Sequence, residues 1–231
     1  DRQPSTIVIR AEFLTGCPTT GQRPAPLLAH IPGLRVVVPS TPRDAYGLMR
    51  SALASPGVTL FFEDRMIADD EDWEEEDLRI GETIPLGASM WRVKGQRGNV
   101  TILTYGVMRQ VVERALRPYK FKGDFGSDEY PMLCDVIDLR SLYPVDWGFI
   151  TKMLERTGRL LVVEPDITYG GVGAEIVAHI AETMPHVRVK RLGAKRETIP
   201  ASISLHDRVL PTEDEIVAAI TDINDRTKGR R

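Results

Sequence analysis

The sequence predicts an α/β protein built on mostly parallel sheet, and three observations carry that prediction. Short apolar runs suited to strands buried on both faces recur along the chain, Leu160-Leu161-Val162-Val163 being the clearest. Patterns with helical spacing follow them, as with Ala45, Leu48, Met49, Ala52 and Leu53. The connections carry the glycine, proline and capping residues that end one element and start the next. Strand and helix alternate about five times, which predicts a doubly wound arrangement with helices on both sides. A change of composition near residue 90 predicts two domains.

Thr6–Arg10 reads as a strand. A parallel strand normally arrives from an upstream helix, so this one predicts either a sheet edge or further sequence ahead of it. Residues 11–26 hold Pro18, Pro24 and Pro26 with three threonines and two glycines, and read as a loop of the kind that carries ligands in α/β folds. Leu34–Val38 is a strand; Thr41 caps the next helix and Pro42 suits its first position. Pro56-Gly57 stops that helix before a strand over 58–62, giving a strand–helix–strand unit with a parallel pair.

Residues 66–96 contain Asp69-Asp70-Glu71-Asp72 and Glu74-Glu75-Glu76-Asp77 around Trp73. Runs of like charge stay in water, so the segment predicts a solvated acidic linker, and no glycine sits where a calcium loop turns. Residues 100–105 form a strand and 106–116 a helix. Residues 117–131 read as an exposed excursion, and 136–139 as a strand. Pro144 and Asp146 open a helix that Gly158 ends. The run at 160–163 then leads through Gly170, Gly171 and Gly173 into a helix bearing Ile176 and Ile180. A strand over 187–191 follows. Thr212-Glu213-Asp214-Glu215 matches a capping box ahead of Ile216, Ile220 and Ile223.

Composition excludes several classes of function. A formal net charge of −3 argues against a general nucleic-acid surface. No apolar run approaches the ~20 residues that span a bilayer. Cys17 and Cys134 lie far apart without metal-like spacing, which predicts free thiols and a reducing, cytoplasmic setting.

The chemical motifs are incomplete. Strand, glycine-rich turn and helix start make an anion cradle possible at 159–182. However, GGVGAE departs from the dinucleotide fingerprint in order and in distance from the strand, and no acidic residue closes a second strand ~20 residues on. Tight packing of the helix on its sheet is then the expected role of these glycines. Neither cysteine has an evident histidine partner, and no GxSxG elbow occurs. Among His30, His179, His186 and His206 no pair has metal-ligand spacing, and His30, just after the proline-rich loop, is the one nearest a prospective site. Gly123-Asp124 opens like a diphosphate motif, but Phe125 replaces its next glycine and no asparagine pair follows.

Read in order, IPGLRVVVPSTPRDAYGLMRSAL (31–53), LFFEDR (60–65), VTILTYGVM (100–108), VIDLRSLYPVD (136–146), GRLLVVEPDITYGGVGAEI (158–176) and LPTEDEIVAAI (210–220) resemble the beta subunit of the thiamine-dependent decarboxylating component of 2-oxo acid dehydrogenase complexes. Pyruvate, branched-chain and acetoin-type enzymes share this wording. The resemblance implies part of a thiamine-diphosphate-binding, pyrimidine-type domain over 1–65, the acidic linker over 66–96, and a transketolase C-terminal-like domain with a mostly parallel sheet over 97–231.

It further implies a heterotetramer of two alpha and two beta subunits, with thiamine diphosphate at their interface and its diphosphate and magnesium on the alpha subunit. The reaction implied is decarboxylation of a 2-oxo acid and transfer of the acyl unit to lipoyl-lysine of a transacylase, whose docking domain the beta subunit receives. The compartment is cytoplasmic, or the mitochondrial matrix in a eukaryote. The chain aligns from the last third of the pyrimidine domain, so the family's pyrimidine-polarising glutamate falls on no residue here. The family's His-Ser-Gln falls on Thr20, Gly21 and Gln22, with His30 nearby; the glutamine is kept and the histidine is not. A potassium site in some members corresponds to Ala52, Leu53, Ser55 and Gly57, with Ser55 in place of the usual acid. Two alternatives stay open: a non-catalytic assembly or docking module of such a complex, and a fragment of another transketolase-like enzyme.

Overall fold

The computed structural model describes residues 5–13, 22–68, 80–95, 99–120, 134–200 and 202–225. Cys17, Thr20, Gly21, the acidic runs at 69–77, Gly123-Asp124 and most of the 117–131 excursion lie outside the described residues.

Two sheets organise the chain. The first runs in the order β1 (Thr6–Phe13), β3 (Gly57–Asp64), β2 (Leu34–Val37) and β7 (Ser141–Tyr143). β1 lies parallel to β3 from Thr6 opposite Gly57 to Phe13 opposite Asp64, and it is the edge strand, with Ile7 and Ile9 half exposed. Between β2 and β3 the chain forms α2 (Pro42–Ala54). The Thr41 hydroxyl accepts from the Asp44 N–H and Pro42 begins the helix, as the sequence predicts. The loop predicted over 11–26 yields residues at both ends: β1 continues to Phe13, and a short helix α1 (Ala25–Ala29) begins behind Pro24.

The second sheet runs β4 (Met90–Val93), β6 (Cys134–Asp138), β5 (Val100–Thr104), β8 (Arg159–Ile167) and β9 (Arg188–Ala194). All its pairings are parallel except that of β4 with β6. Residues 66–96 are therefore not linker throughout: a short helix α3 (Arg65–Ala68) starts the segment, and β4 near its end is an edge strand of this sheet.

The apolar run at the centre of β8 shows why it reads as doubly buried. Leu160 and Val162 point to one face, where they meet Ile150, Met153 and Leu154 of α5 (Trp147–Thr157) and Ile176 and Ile180 of α6 (Val172–Thr183). Leu161 and Val163 point to the other, against Val112 of α4 (Val107–Lys120) and Ile216 and Ile220 of α7 (Glu213–Asn224). Asp146 caps α5, Gly158 ends it in the left-handed conformation at φ 62°, and Thr212 with Glu215 forms the capping box of α7.

The first of these faces also receives Phe13, Val36, Val38, Leu60 and Phe62 from the other sheet, so one apolar cluster joins the two units. Polar contacts reinforce the junction. Buried Asp44 of α2 accepts from Arg92 of β4 and, at 3.0 Å, from Arg140; Arg92 also reaches Asp138 at 3.0 Å. Arg140 holds a left-handed φ of 58°, unusual for a residue with a Cβ. Its guanidinium donates to the Ala88 and Ser89 carbonyls as well as to Asp44, contacts that hold the strained backbone in place. Among the described residues no helix is long and apolar enough to cross a membrane.

Candidate functional site

The turn between β8 and α6 is the feature that the sequence singles out, and the structure fills it from within. Glu164, near the end of β8, is fully buried, and its Oε2 accepts from the Gly173 N–H at 3.0 Å. A Cβ on Gly171 would stand 2.6 Å from Glu164 Oε2, and one on Gly173 would stand 2.6 Å from Oε1. On the neighbouring strand, a Cβ on Gly193 would stand 3.1 Å from Glu164 Cγ and 2.6 Å from the Asp166 carbonyl oxygen. Three glycines thus make room for one carboxyl group at a helix N-terminus, where backbone N–H groups favour negative charge. The anion in the cradle is the chain's own. The turn does not fit an added diphosphate, which would meet that carboxyl group.

Glu164 belongs to a larger buried acidic cluster. Asp166 accepts from the Tyr105 hydroxyl at 2.5 Å, and Asp64 pairs with Arg23 at 2.6 Å, all with little exposure. Burial raises the Glu164 carboxyl to about 7, against the opposing effect of the Gly173 N–H. Burial likewise raises Asp166 to about 6, although the Tyr105 hydrogen bond and Arg23 favour its charged form. Tyr105 is pushed well above the ordinary phenol range, chiefly by burial and then by Asp166. Glu164 Oε1 and Asp166 Oδ1 are buried without a hydrogen-bond partner, which fits groups that carry a proton over part of the neutral range.

Above this cluster lies a cleft of about 240 Å³ between the segment leading into α1 and the loops after β8 and β9. Gln22, Arg23, Leu27, Asp166, Tyr169 and Ile199 are among its walls. Gln22, the residue that matches the family wording, therefore faces the ends of β8 and β9. Thr20 lies outside the described residues. His30 is exposed at the C-terminal end of α1 and is not in the cleft wall. His179 packs on Trp147, ring centres 3.9 Å apart, and His206 contacts the Pro200 carbonyl at 3.0 Å. Cys134 is buried and its thiol is raised to about 12, which removes it as a nucleophile.

A second cavity, about 520 Å³, opens at the carboxyl ends of β1, β2 and β3, lined by Arg10, Glu12, Thr41, Glu63, Asp64 and Arg65 among others. Parallel sheets place ligands at this edge, so the position was legible from the strand order alone. Among the described residues no group of three or more His, Cys, Asp or Glu could hold a metal ion.

The turn after α2 bears on the potassium expectation. The Ser55 carbonyl accepts from Arg35 Nη2 at 3.2 Å and from the Thr6 hydroxyl at 3.3 Å, while the Ala52 carbonyl accepts from the Ser55 N–H at 3.2 Å. A carbonyl has two lone pairs, and those of Ser55 are both engaged. A further monovalent cation about 5 Å from the guanidinium would be repelled by about 3 kcal/mol at an effective dielectric constant of about 20. Of Ala52, Leu53, Ser55 and Gly57, the expected potassium residues, Ser55 has its carbonyl already taken by Arg35 and Thr6.

Comparisons with known proteins agree with the architecture. Residues 89–216 match the transketolase C-terminal domain and residues 14–69 the transketolase pyrimidine binding domain. The chain is 30% identical over 207 residues to 2-oxoisovalerate dehydrogenase subunit beta 2, mitochondrial, of Arabidopsis thaliana, covering 86% of this chain and 52% of that protein. It is 32% identical over 200 residues to the acetoin:2,6-dichlorophenolindophenol oxidoreductase subunit beta of Bacillus subtilis, covering 85% and 55%. It is 35% identical over 156 residues to a pyruvate dehydrogenase E1 component subunit beta of Staphylococcus aureus, covering 68% and 44%. The chain thus spans about half the length of these relatives. A solved structure described as a split gene transketolase, inactive beta4 tetramer, superposes with a TM-score of 0.77 at 20% identity, over 94% of this chain and 66% of that one; the likeness is one of fold. The chain belongs to the transketolase C-terminal domain family, with pyrimidine-binding-domain sequence leading into it.

Proposed function

We propose that the chain serves as the beta subunit of a thiamine-dependent 2-oxo acid dehydrogenase and supports oxidative decarboxylation of a 2-oxo acid, with acyl transfer to lipoyl-lysine of a transacylase. The observation that supports this reading most directly is the succession of pyrimidine-binding and C-terminal domain matches in a chain similar to three beta subunits. In this reading the chain pairs with an alpha subunit and a second beta subunit in a heterotetramer, and it also receives the transacylase docking domain. Localisation is cytoplasmic, or the mitochondrial matrix in a eukaryotic source.

Thiamine diphosphate, when bound between the subunits, would supply the electron-sink chemistry that decarboxylation of a 2-oxo acid needs. In this reading the alpha subunit holds its diphosphate and magnesium, and the glycine turn of this chain is occupied by the chain's own Glu164. What this chain contributes is placement: Gln22 and Arg23 stand where the first unit meets the ends of β8 and β9, above the Tyr105–Asp166 pair. Co-expression with an alpha subunit, followed by assays of thiamine-dependent carbon dioxide release from pyruvate and from branched-chain 2-oxo acids, tests the proposal. Release that requires both chains supports it. A complex that forms, binds the cofactor and releases none contradicts it.

One observation favours a second reading, a non-catalytic assembly module. Thr20 stands where the family's histidine falls, and threonine is no general acid or base at neutral pH. Thr20→His in the assembled complex separates the two: a large gain in decarboxylation marks a subunit that has lost its base, whereas activity already present and unchanged by the substitution marks a base elsewhere.

A further inference from the structure

We infer that Arg35 is the resident cation of the turn joining α2 to β3, a guanidinium that takes, from within, the Ser55 carbonyl an alkali-metal ion would otherwise use. The turn has to reverse the chain within a few residues, from Ala54 at the end of α2 to Gly57 at the start of β3. Such a reversal turns carbonyl oxygens away from helix and sheet, and each needs a donor or a cation. A potassium ion meets that need by gathering several carbonyl oxygens at once in place of its hydration shell.

Here the donors are covalent parts of the chain. Arg35, near the start of β2, donates from Nε to the Thr59 hydroxyl at 3.0 Å and from Nη2 to the Ser55 carbonyl at 3.2 Å. Thr6 of β1 donates to the same carbonyl at 3.3 Å. The guanidinium therefore ties β2 to β3 and to the end of α2, and Thr6 brings in β1. Ser55, which leaves the helix in an extended conformation, donates its own hydroxyl back to the Ser51 carbonyl at 2.7 Å and adds no negative charge to attract an ion.

Gly57 completes the arrangement. Its φ of +103° suits glycine alone, and a Cβ there would stand 3.5 Å from Arg35 Nη2 and 3.9 Å from Cζ. The backbone thus passes close beside the guanidinium plane. The planar fork of arginine reaches two acceptors at fixed directions, which a lysine ammonium on its flexible stem reproduces poorly.

The experiment is thermal unfolding of the chain in potassium, sodium, lithium and choline chloride at equal ionic strength, so that screening is the same in each. The expected result is a midpoint that does not depend on the cation. Arg35→Met, which keeps the apolar stem and removes the fork, should lower the midpoint by about 5 °C in choline chloride. A wild-type midpoint raised selectively by potassium would overturn the inference, and so would an Arg35→Met midpoint equal to the wild type. Should Arg35→Met fail to fold, the wild-type cation series still decides, and Arg35→Lys serves as the second variant, with an intermediate midpoint expected and a wild-type midpoint counting against the fork.

Discussion

Glu164→Gln is the perturbation that most sharply tests the reading of the glycine turn. A carboxyl group titrating at about 7 in the fold, against 4.5 for an ordinary glutamate, is better protonated in the folded than in the unfolded chain between those values. The folded state then binds more protons in that window, so stability falls as pH rises through it and levels off above about pH 8. At about 1.4 kcal/mol per tenfold, the ionised Glu164 costs about 3 kcal/mol at pH 8 that is absent near pH 4. The glutamine side chain keeps an oxygen for the Gly173 N–H and cannot ionise, and no partner of Oε1 is lost because it has none. Urea unfolding of both proteins at pH 5, 6, 7 and 8 should show the difference in stability moving by about 2.5 kcal/mol in favour of Glu164→Gln as pH rises. Asp166, raised to about 6, adds a slope of the same sign at lower pH, common to both proteins, and it cancels in the comparison to first order. A difference that stays flat from pH 5 to 8 would refute the argument.

Three further predictions rest on separate contacts. Gly173→Ala places a Cβ 2.6 Å from Glu164 Oε1 and 3.0 Å from Val162 Cγ1, so it should cost about 1–3 kcal/mol in chemical unfolding despite alanine's better helix propensity, and a gain in stability would count against the close-fitting cradle. Asp44→Ala leaves the buried guanidiniums of Arg92 and Arg140 facing each other without their shared carboxylate; a loss of about 3–5 kcal/mol is expected, and a loss under about 1 kcal/mol would show that the network does not hold the two sheets together. Bulky replacements at Gly173 should disrupt assembly with the partner subunits before they change cofactor affinity, which sedimentation of the complex alongside cofactor titration would check.

Much of the fold was legible because its signals are local. The Thr41-Pro42 start of α2, the Asp146 cap and Gly158 stop of α5, and the Thr212 capping box each depend on residues within one turn of a helix. The run at 160–163 was legible because alternation between two apolar clusters leaves no polar position at the centre of β8. What escaped was short and paired at a distance. β4 and β7 have four and three residues and owe their existence to partners far along the chain, and α1 is a single proline-led turn and a half. Nothing local in the sequence marks Arg140, yet its left-handed backbone and three acceptors join the two units.

The site was partly legible. An acid directly after Leu160–Val163 is the anomaly that could have announced Glu164, because a carboxyl group in a doubly buried strand needs a dedicated partner. That partner is a backbone N–H nine residues later, and nothing in the spacing of the glycines says that the anion they cradle comes from the preceding strand. The cleft beside Gln22 depends on three segments meeting, which no single stretch of sequence displays.

The central claim is that this chain works as one side of a shared thiamine site. Calorimetric titration with thiamine diphosphate and magnesium, performed on the chain alone and on its complex with an alpha subunit, tests it most directly. The account predicts no measurable binding to the chain alone and saturable binding to the complex. Tight one-to-one binding to the isolated chain would contradict it.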